Sequence, residues 1–97
     1  MRYIVLLEDD PDRSDVRPRL MPQHLDFLKR HAGEILEAGP LSDAEGKPAG
    51  GLWVVEAESA ERVNELVESD PFWPAGLRKS FRMLAWKRVF AAGNSLI

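Results

Sequence analysis

The chain has 97 residues, of which 44% are hydrophobic and 30% charged, and 13 Lys and Arg against 16 Asp and Glu give a net charge of −3. This length predicts one domain over residues 1–97, and the composition excludes disordered and membrane-spanning classes. The acidic balance argues against a nucleic-acid partner, and the absence of cysteine excludes disulfides and thiol chemistry. The N-terminus does not resemble a signal peptide, so we expect a cytoplasmic protein.

The first half of the chain predicts a strand, a helix and a second strand. Residues 2–7 are β-formers without polar alternation, which is typical of a strand buried on both faces. An acidic loop, residues 8–12, precedes a helix that we expect to begin at Pro22 and to end at a Gly33 cap. Pro18 is the alternative start, one turn upstream. Residues 34–41 are the second predicted strand. The expected buried stripe of the helix is Met21, Leu25, Leu28 and Ala32.

The second half predicts a strand, a helix and a last strand. A turn-rich connector leads into the third strand at residues 52–57, and Ser59 is the expected N-cap of the second helix. Residues 80–90 are the fourth strand and residues 91–97 a tail, for which packing on a partner chain is one alternative. The expected buried stripe of the second helix is Ala60, Val63, Leu66 and Val67. The order β-α-β-β-α-β predicts an α+β fold of the ferredoxin-like type.

The strands are apolar on both faces. In the first strand Tyr3, Val5 and Leu7 point one way, and Ile4 and Leu6 point the other. Because both helices of this topology cover the same face, the opposite face would leave a large apolar patch exposed. We therefore predict a homodimer, or a higher homo-oligomer, that pairs its sheets about a two-fold axis. The alternative is that the tail folds back, but seven residues are too few to cover four strands.

Two histidines are the candidates for proton chemistry. His24 lies near the expected N-terminus of the first helix, where the helix dipole disfavours the imidazolium and favours a neutral general base. The simpler interpretation is a semi-buried helical histidine with one hydrogen bond. His31 lies in the last turn and is interpreted as a surface residue. About 10 Å of helical rise separates the two, so they cannot share a metal ion.

Two aspartates at turns are candidates to orient an imidazole. Asp43 and Asp70 have the residue type for this role, although each also suits a turn in which it bonds its own backbone. The loop residues Phe72 and Trp73 are candidates to line a pocket. No metal is expected, because the chain has no cysteine and no close pair of histidines. No organic cofactor is expected, because no nucleotide-binding loop is present, and the spacing of a Ser-His-Asp triad is absent as well. A metal site in the acidic loop 8–12 is the alternative, but the loop lacks the Gly and closing Glu of a calcium loop.

These segments in this order resemble the YCII-related (YciI-like) family of small dimeric α+β-barrel proteins. The resemblance extends over nearly the whole chain, to about Phe90. The segments that carry it are His24-Leu25 with Phe27-Leu28, Ala38-Gly39-Pro40-Leu41 with Asp43, Gly50-Gly51, and Asp70-Pro71-Phe72 with Ala75-Gly76-Leu77. One position departs from the family pattern. The family often has an arginine three residues before the histidine, where this chain has Met21, and Arg17 and Arg19 lie nearby but shifted.

The resemblance implies a pocket with a His–Asp pair as the active site. Carried over to this chain, the histidine is His24 and the aspartate is Asp70, with Asp43 as the second choice. The expected substrate contacts are Phe72, Trp73, Gly39 and Pro40. The implied function is a small cofactor-independent lyase or isomerase, dehydrochlorinase-like, acting on a small organic substrate. The alternatives are a non-catalytic dimer that binds a small ligand or regulates, and a structural dimer that partners another protein.

Overall fold

The computed structural model describes all 97 residues of the chain. Its elements are β1 (Arg2–Asp9), a short 3-10 turn (Pro11–Arg13), α1 (Val16–Arg30), β2 (Ile35–Ser42), β3 (Pro48–Glu56), α2 (Ala60–Ser69), β4 (Arg78–Ala85), β5 (Phe90–Ala91) and β6 (Asn94–Ser95). The first four strands form one antiparallel sheet in the order β2-β3-β1-β4. This is the ferredoxin-like arrangement that the sequence predicts.

The core lies between the two helices and one face of the sheet. Val5 of β1 is fully buried and pairs with Trp53 on β3 and with Met83 on β4. Phe27 of α1 and Leu66 of α2 pack onto this face. The remaining buried members of the same cluster are Tyr3, Leu7, Ile35, Val55, Ala57, Val63 and Val67. Burial alternates along β1, because successive side chains of a strand point to opposite faces.

The opposite face of the sheet has no helix over it. There Ile4 pairs with Val54 on β3 and with Leu84 on β4, and Leu6 pairs with Leu52. The side chain at the β4 edge is the most open of these, with Leu84 48% exposed. The bare apolar face that the sequence predicts is therefore present, and the homodimer that would cover it stays a prediction.

The predicted buried stripe of α1 is wrong at Leu25 and Ala32, which are exposed, whereas Met21 and Leu28 are half-buried against the hydrophobic clusters. Leu25 is 48% exposed, whereas Val16, His24 and Phe27 are buried. The helical spacing of apolar residues does not predict this face, because a polar residue, His24, occupies a core-facing position and an apolar residue, Leu25, faces outward. Half-buried Leu20 completes the true stripe at helical spacing.

The ends of α1 also differ from the prediction. The helix begins at Val16 and includes Pro22 in its interior. The upstream alternative at Pro18 comes closer, since a proline in the first turn loses no hydrogen bond that the helix would make. At the other end the cap residue is His31, and Gly33 does not adopt a left-handed conformation.

The second helix follows the prediction more closely. The Ser59 hydroxyl accepts the N–H of Arg62 at 3.2 Å, so Ser59 is the N-cap, and Val63, Leu66 and Val67 are buried. Only Ala60, at the first position, is exposed. Neither α1 nor α2 has the length and apolar run that a bilayer crossing requires.

The end of the chain differs from the predicted long fourth strand. β4 stops at Ala85, and the residues after it form the separate β5–β6 hairpin. Ala92 and Gly93 at its tip have φ values of 50° and 79°, as a tight two-residue hairpin turn requires. Phe90 in this hairpin is 64% exposed. The tail thus has its own structure.

A bidentate ion pair joins Glu34, the residue just before β2, to Arg62 of α2. Nε and Nη2 of Arg62 donate to the two carboxylate oxygens of Glu34 at 2.8 and 2.7 Å. These hydrogen bonds hold the pKa of Glu34 below its ordinary value. Because the folded-state pKa lies below the unfolded one, the stabilisation is present at neutral pH and is lost as the pH falls through the folded-state pKa.

We expect Arg62→Gln to flatten the acid dependence of stability. Between about pH 5 and pH 3 the melting temperature of wild type should fall more than that of the variant, because only wild type has the Glu34–Arg62 ion pair to lose when Glu34 is protonated. Thermal melts followed by circular dichroism across this range measure it. Arg30→Gln is the matched control, since Arg30 pairs with Asp26 at side-chain exposures of 62% and 70%. Parallel curves for wild type and Arg62→Gln would contradict the prediction.

Candidate functional site

The structure brings together the histidine and the first-choice aspartate. His24 lies in the middle of α1, and Asp70 directly follows α2. His24 Nδ1 is 3.0 Å from Asp70 Oδ1, and the two side chains are 7% and 1% exposed. The expected position of His24 at a helix N-terminus is wrong, and a dipole effect confined to the first turn does not reach it. The orientation of its imidazole is therefore fixed by the contact with Asp70.

The hydrogen bonds around Asp70 define the tautomer of His24. The backbone N–H of Phe72 donates to the same oxygen, Asp70 Oδ1, at 3.0 Å. Since Oδ1 accepts from a backbone donor, the imidazole bonds it as a second donor and carries its proton on Nδ1. The chain provides no hydrogen-bond partner for Nε2, and this atom is not among the fully buried unpartnered atoms. In a neutral imidazole with its proton on Nδ1, Nε2 is the nitrogen left to accept a proton.

The ring of Phe72 packs against the imidazole of His24. Its ring stacks on that of His24 with centroids 4.1 Å apart and an interplanar angle of 16°. Phe72 is 0% exposed, so the expectation that it contacts a substrate is wrong. Trp73 also differs from the prediction, because it packs edge-on against Phe81 at 5.6 Å, beside the main core. The Asp70-Pro71-Phe72 turn therefore serves to hold the histidine and its carboxylate.

Two arginines and one aspartate surround the far side of Phe72. The guanidinium carbons of Arg17 and Arg78 lie 5.5 and 5.2 Å from the Phe72 ring centroid. Asp9 bonds both, with Arg17 Nη2 at 2.6 Å and Arg78 Nη1 at 2.7 Å. The Arg78 side chain is only 3% exposed. This burial lowers the pKa of its guanidinium, and the hydrogen bond to Asp9 opposes that shift. Asp9 thus neutralises one of two neighbouring positive charges.

Sequence reasoning missed most of this cluster. The sequence predicts Asp9 only as part of the acidic loop, places Arg17 at a position shifted from the family arginine, and predicts no role for Arg78. A signal was present in the glycine pair, because a Cβ on Gly51 would lie 3.1 Å from Arg78 Nη1. Two adjacent glycines at the start of a strand are typical of a site where another group approaches the backbone closely.

A cavity of about 690 Å³ opens beside Arg17. It lies between the end of β1, the start of α1 and the start of β3. Residues on its wall include Asp9, Arg17, Pro18, Ala49, Gly50 and Leu77. Neither His24 nor Asp70 lies on its wall, and the Phe72 ring, which contacts both Arg17 and His24, stands between the cavity residue Arg17 and the histidine. This volume suits a ligand of one aromatic ring.

The other predicted site residues lie elsewhere. Asp43 is in the turn between β2 and β3, where its Oδ1 accepts the N–H groups of Glu45 and Lys47 at 2.9 Å each. Its role is local, as the turn interpretation allows, and the second-choice pairing with His24 is wrong. Gly39 and Pro40 lie exposed on the edge strand β2 and do not line the cavity. No group of three His, Asp or Glu side chains is arranged to hold a metal ion.

Fold and site together define a small α+β protein with one bare sheet face and a buried His–Asp pair. The YCII-related domain matches residues 1–87, and the chain belongs to this family. It is similar to the solved structure of 5-chloro-2-hydroxyhydroquinone dehydrochlorinase (TftG) from Burkholderia phenoliruptrix AC1100, in complex with 2,5-dihydroxybenzoquinone. The identity is 30% and the TM-score 0.78, over 90% of this chain and 94% of that one.

A more distant likeness concerns the fold alone. The protein Atu4242 from Agrobacterium tumefaciens is 18% identical with a TM-score of 0.51, over 97% of this chain and all of that one. A comparison with curated proteins found no match.

Proposed function

We propose that this protein is a cofactor-independent enzyme of the lyase or isomerase type, dehydrochlorinase-like, in which His24 moves a proton on a small organic substrate. The observation that carries the proposal is the buried contact between His24 Nδ1 and Asp70 Oδ1, with Nε2 left free. A carboxylate that fixes one imidazole nitrogen and leaves the other as a base is a recurring arrangement for proton transfer.

The proposed step is an elimination that needs no oxidant or reductant. The substrate reacts as its keto tautomer, in which the carbon that bears chlorine is tetrahedral. His24 Nε2 takes a hydroxyl proton, the oxygen's electron pair forms a carbonyl, and the displaced ring electrons form a carbon–carbon double bond as the carbon–chlorine bond breaks. Chloride leaves with the electrons of that bond, and the imidazolium then releases its proton to water. Asp70 stabilises the imidazolium while it exists, since a carboxylate bonded to a cation is favourable in a site shielded from water.

The proposed substrate is a hydroxylated or quinone-like single ring. The cavity of about 690 Å³ beside Arg17 has room for such a ring, although His24 is not among the residues on its wall. The Arg17 side chain on the wall is 23% exposed and offers donors for a ring oxygen. The likeness to a dehydrochlorinase whose structure contains 2,5-dihydroxybenzoquinone supports this choice of class. In the proposal Arg17 supplies the arginine that the family often has at the position of Met21.

The test is chloride release from 5-chloro-2-hydroxyhydroquinone, measured by ion chromatography with and without the protein. We expect release at least about 100-fold above the uncatalysed rate, the lower end of what a positioned base contributes. Binding of 2,5-dihydroxybenzoquinone is measured in parallel by calorimetry. Binding without chloride release would favour the non-catalytic ligand-binding alternative, and the absence of both would contradict the proposed substrate class.

A further inference from the structure

Two fully buried polar side-chain atoms of this protein have no hydrogen-bond partner within the chain, Asp70 Oδ2 and Arg78 Nε. Their side chains are only 1% and 3% exposed. A buried polar atom without a partner is costly, and such atoms in folded proteins are nearly always bonded to another protein atom or to an ordered water molecule. The carboxylate oxygen accepts and the guanidinium N–H donates, so one group between the two atoms can satisfy both.

The side chains of Asp70 and Arg78 border the same residue. Asp70 Oδ1 accepts the N–H of Phe72 at 3.0 Å, and Arg78 Cζ lies 5.2 Å from the Phe72 ring centroid. The backbone closes the loop between them, because the Leu77 N–H donates to the Phe72 carbonyl at 3.1 Å. Burial lowers the pKa of the Arg78 guanidinium, and the carboxylates of Asp9 and Asp70 oppose that shift. The charge of Asp70 therefore acts on Arg78 without a direct hydrogen bond.

The guanidinium of Arg78 is held in place by three contacts. Its Nη1 donates to Asp9 Oδ1 at 2.7 Å, and its carbon lies over the Phe72 ring. A Cβ added to Gly51 would lie 3.1 Å from Nη1 and 3.5 Å from Nη2, so the guanidinium also packs directly on the backbone of β3. These contacts fix the position of Nε, the nitrogen that has no partner of its own in the chain.

Four charged side chains from β1, α1, the turn after α2 and β4 surround the stack of His24 on Phe72: Asp9, Arg17, Asp70 and Arg78. Their charges cancel, so with a neutral imidazole the cluster has no net charge. Protonation of His24 would leave one positive charge in a site shielded from water. A positive charge nearby disfavours an imidazolium. Of the two arginines, Arg78 is the more deeply buried, at 3% exposure against 23% for Arg17, so its charge is less screened.

We infer that one buried water molecule bridges Asp70 Oδ2 and Arg78 Nε, and that Arg78 acts through it as a positioning residue for the His24–Asp70 pair. The water accepts from Nε and donates to Oδ2, which satisfies both atoms. The bridge fixes the second carboxylate oxygen, so Oδ1 faces the imidazole in one orientation. The positive charge of Arg78 favours the neutral imidazole that a base needs. The inference rests on the proposed role of His24 as the base, but it is tested on the imidazole without substrate.

The first experiment locates the water in wild type. A high-resolution crystal structure of the unliganded protein should show one water molecule at roughly 2.7–3.2 Å from both Asp70 Oδ2 and Arg78 Nε. A direct contact between the two side chains, or no density for a water between them, would overturn the inference. This measurement tests the bridge even where an Arg78 variant does not fold.

The second experiment follows the His24 imidazole by NMR over a pH titration. In Arg78→Gln the pH midpoint of the His24 signals should rise by about one pH unit, because a buried positive charge is lost. Arg78→Lys keeps the charge and should recover at least about half of that difference. Arg30→Gln is the matched control, because it removes a positive charge of α1 that is 62% exposed, and its midpoint should stay within about 0.2 of wild type.

The acid limb of the kcat/KM profile for chloride release should move in the same direction as the His24 midpoint. A His24 midpoint in Arg78→Gln within about 0.2 of wild type, or an equal change in Arg30→Gln, would overturn the inference. A protein with the bridging water and the expected midpoints that releases no chloride would contradict the proposed reaction and support the bridge.

Discussion

Replacing His24 by Gln is expected to lower the rate of chloride release by about 100- to 10,000-fold, the range that a positioned general base contributes. Asp70→Asn should cause a loss of similar size. The Asn oxygen can still accept the Phe72 N–H and keep the turn, but a neutral amide does not stabilise an imidazolium. Initial rates measured over a range of substrate concentrations should show the loss in kcat rather than in KM.

The controls for this prediction are the other histidine and the other aspartate. His31→Gln and Asp43→Asn should leave the rate within about twofold of wild type, because surface and turn substitutions outside a site have small effects. His24 is 6% exposed and stacked on Phe72, so the substitution is also expected to lower stability. Rates are therefore compared below the melting temperature of each variant. Full activity in a folded His24→Gln variant would contradict the proposed role.

Replacing Gly50 by Ala is expected to destabilise the protein by about 3 kcal/mol or more. Gly50 has a φ of +89°, which a residue with a Cβ adopts only with strain, and an added Cβ would overlap the Leu7 carbonyl oxygen. Relief would require β1 and β3 to move apart where Leu7 pairs with Gly51. In a domain of this size the melting temperature should fall by at least about 10 °C.

Gly33→Ala is the matched control for the glycine prediction. An added Cβ there meets nothing within 4 Å, and the φ of Gly33 is not left-handed. Its melting temperature should stay within a few degrees of wild type, since about 1 kcal/mol corresponds to roughly 4–8 °C. Equal stability of the two variants would show that the approach of Gly50 to the β1 backbone is less rigid than described.

The pair at the site and the cluster around it differ in how far local sequence predicts them. Residue type and family pattern point to His24 and Asp70, and the residues that follow Asp70 form a turn that local rules describe well. Asp9, Arg17 and Arg78 were not joined in advance, because their contacts depend on the packing of β1, α1 and β4 around Phe72. An arginine that will be buried has the same local signature as one that stays in water.

The amino-acid sequence by itself determined the order of elements, the buried face of α2 and the apolar character of both sheet faces. These follow from periodicity and capping, which act over a few residues. Only the tertiary structure decided which face of α1 is buried, because His24 gains there a carboxylate partner 46 positions away along the chain. It also decided that Phe72 supports the imidazole and that the last residues leave the sheet as a separate hairpin. These features depend on contacts between distant segments, and no local pattern encodes such contacts.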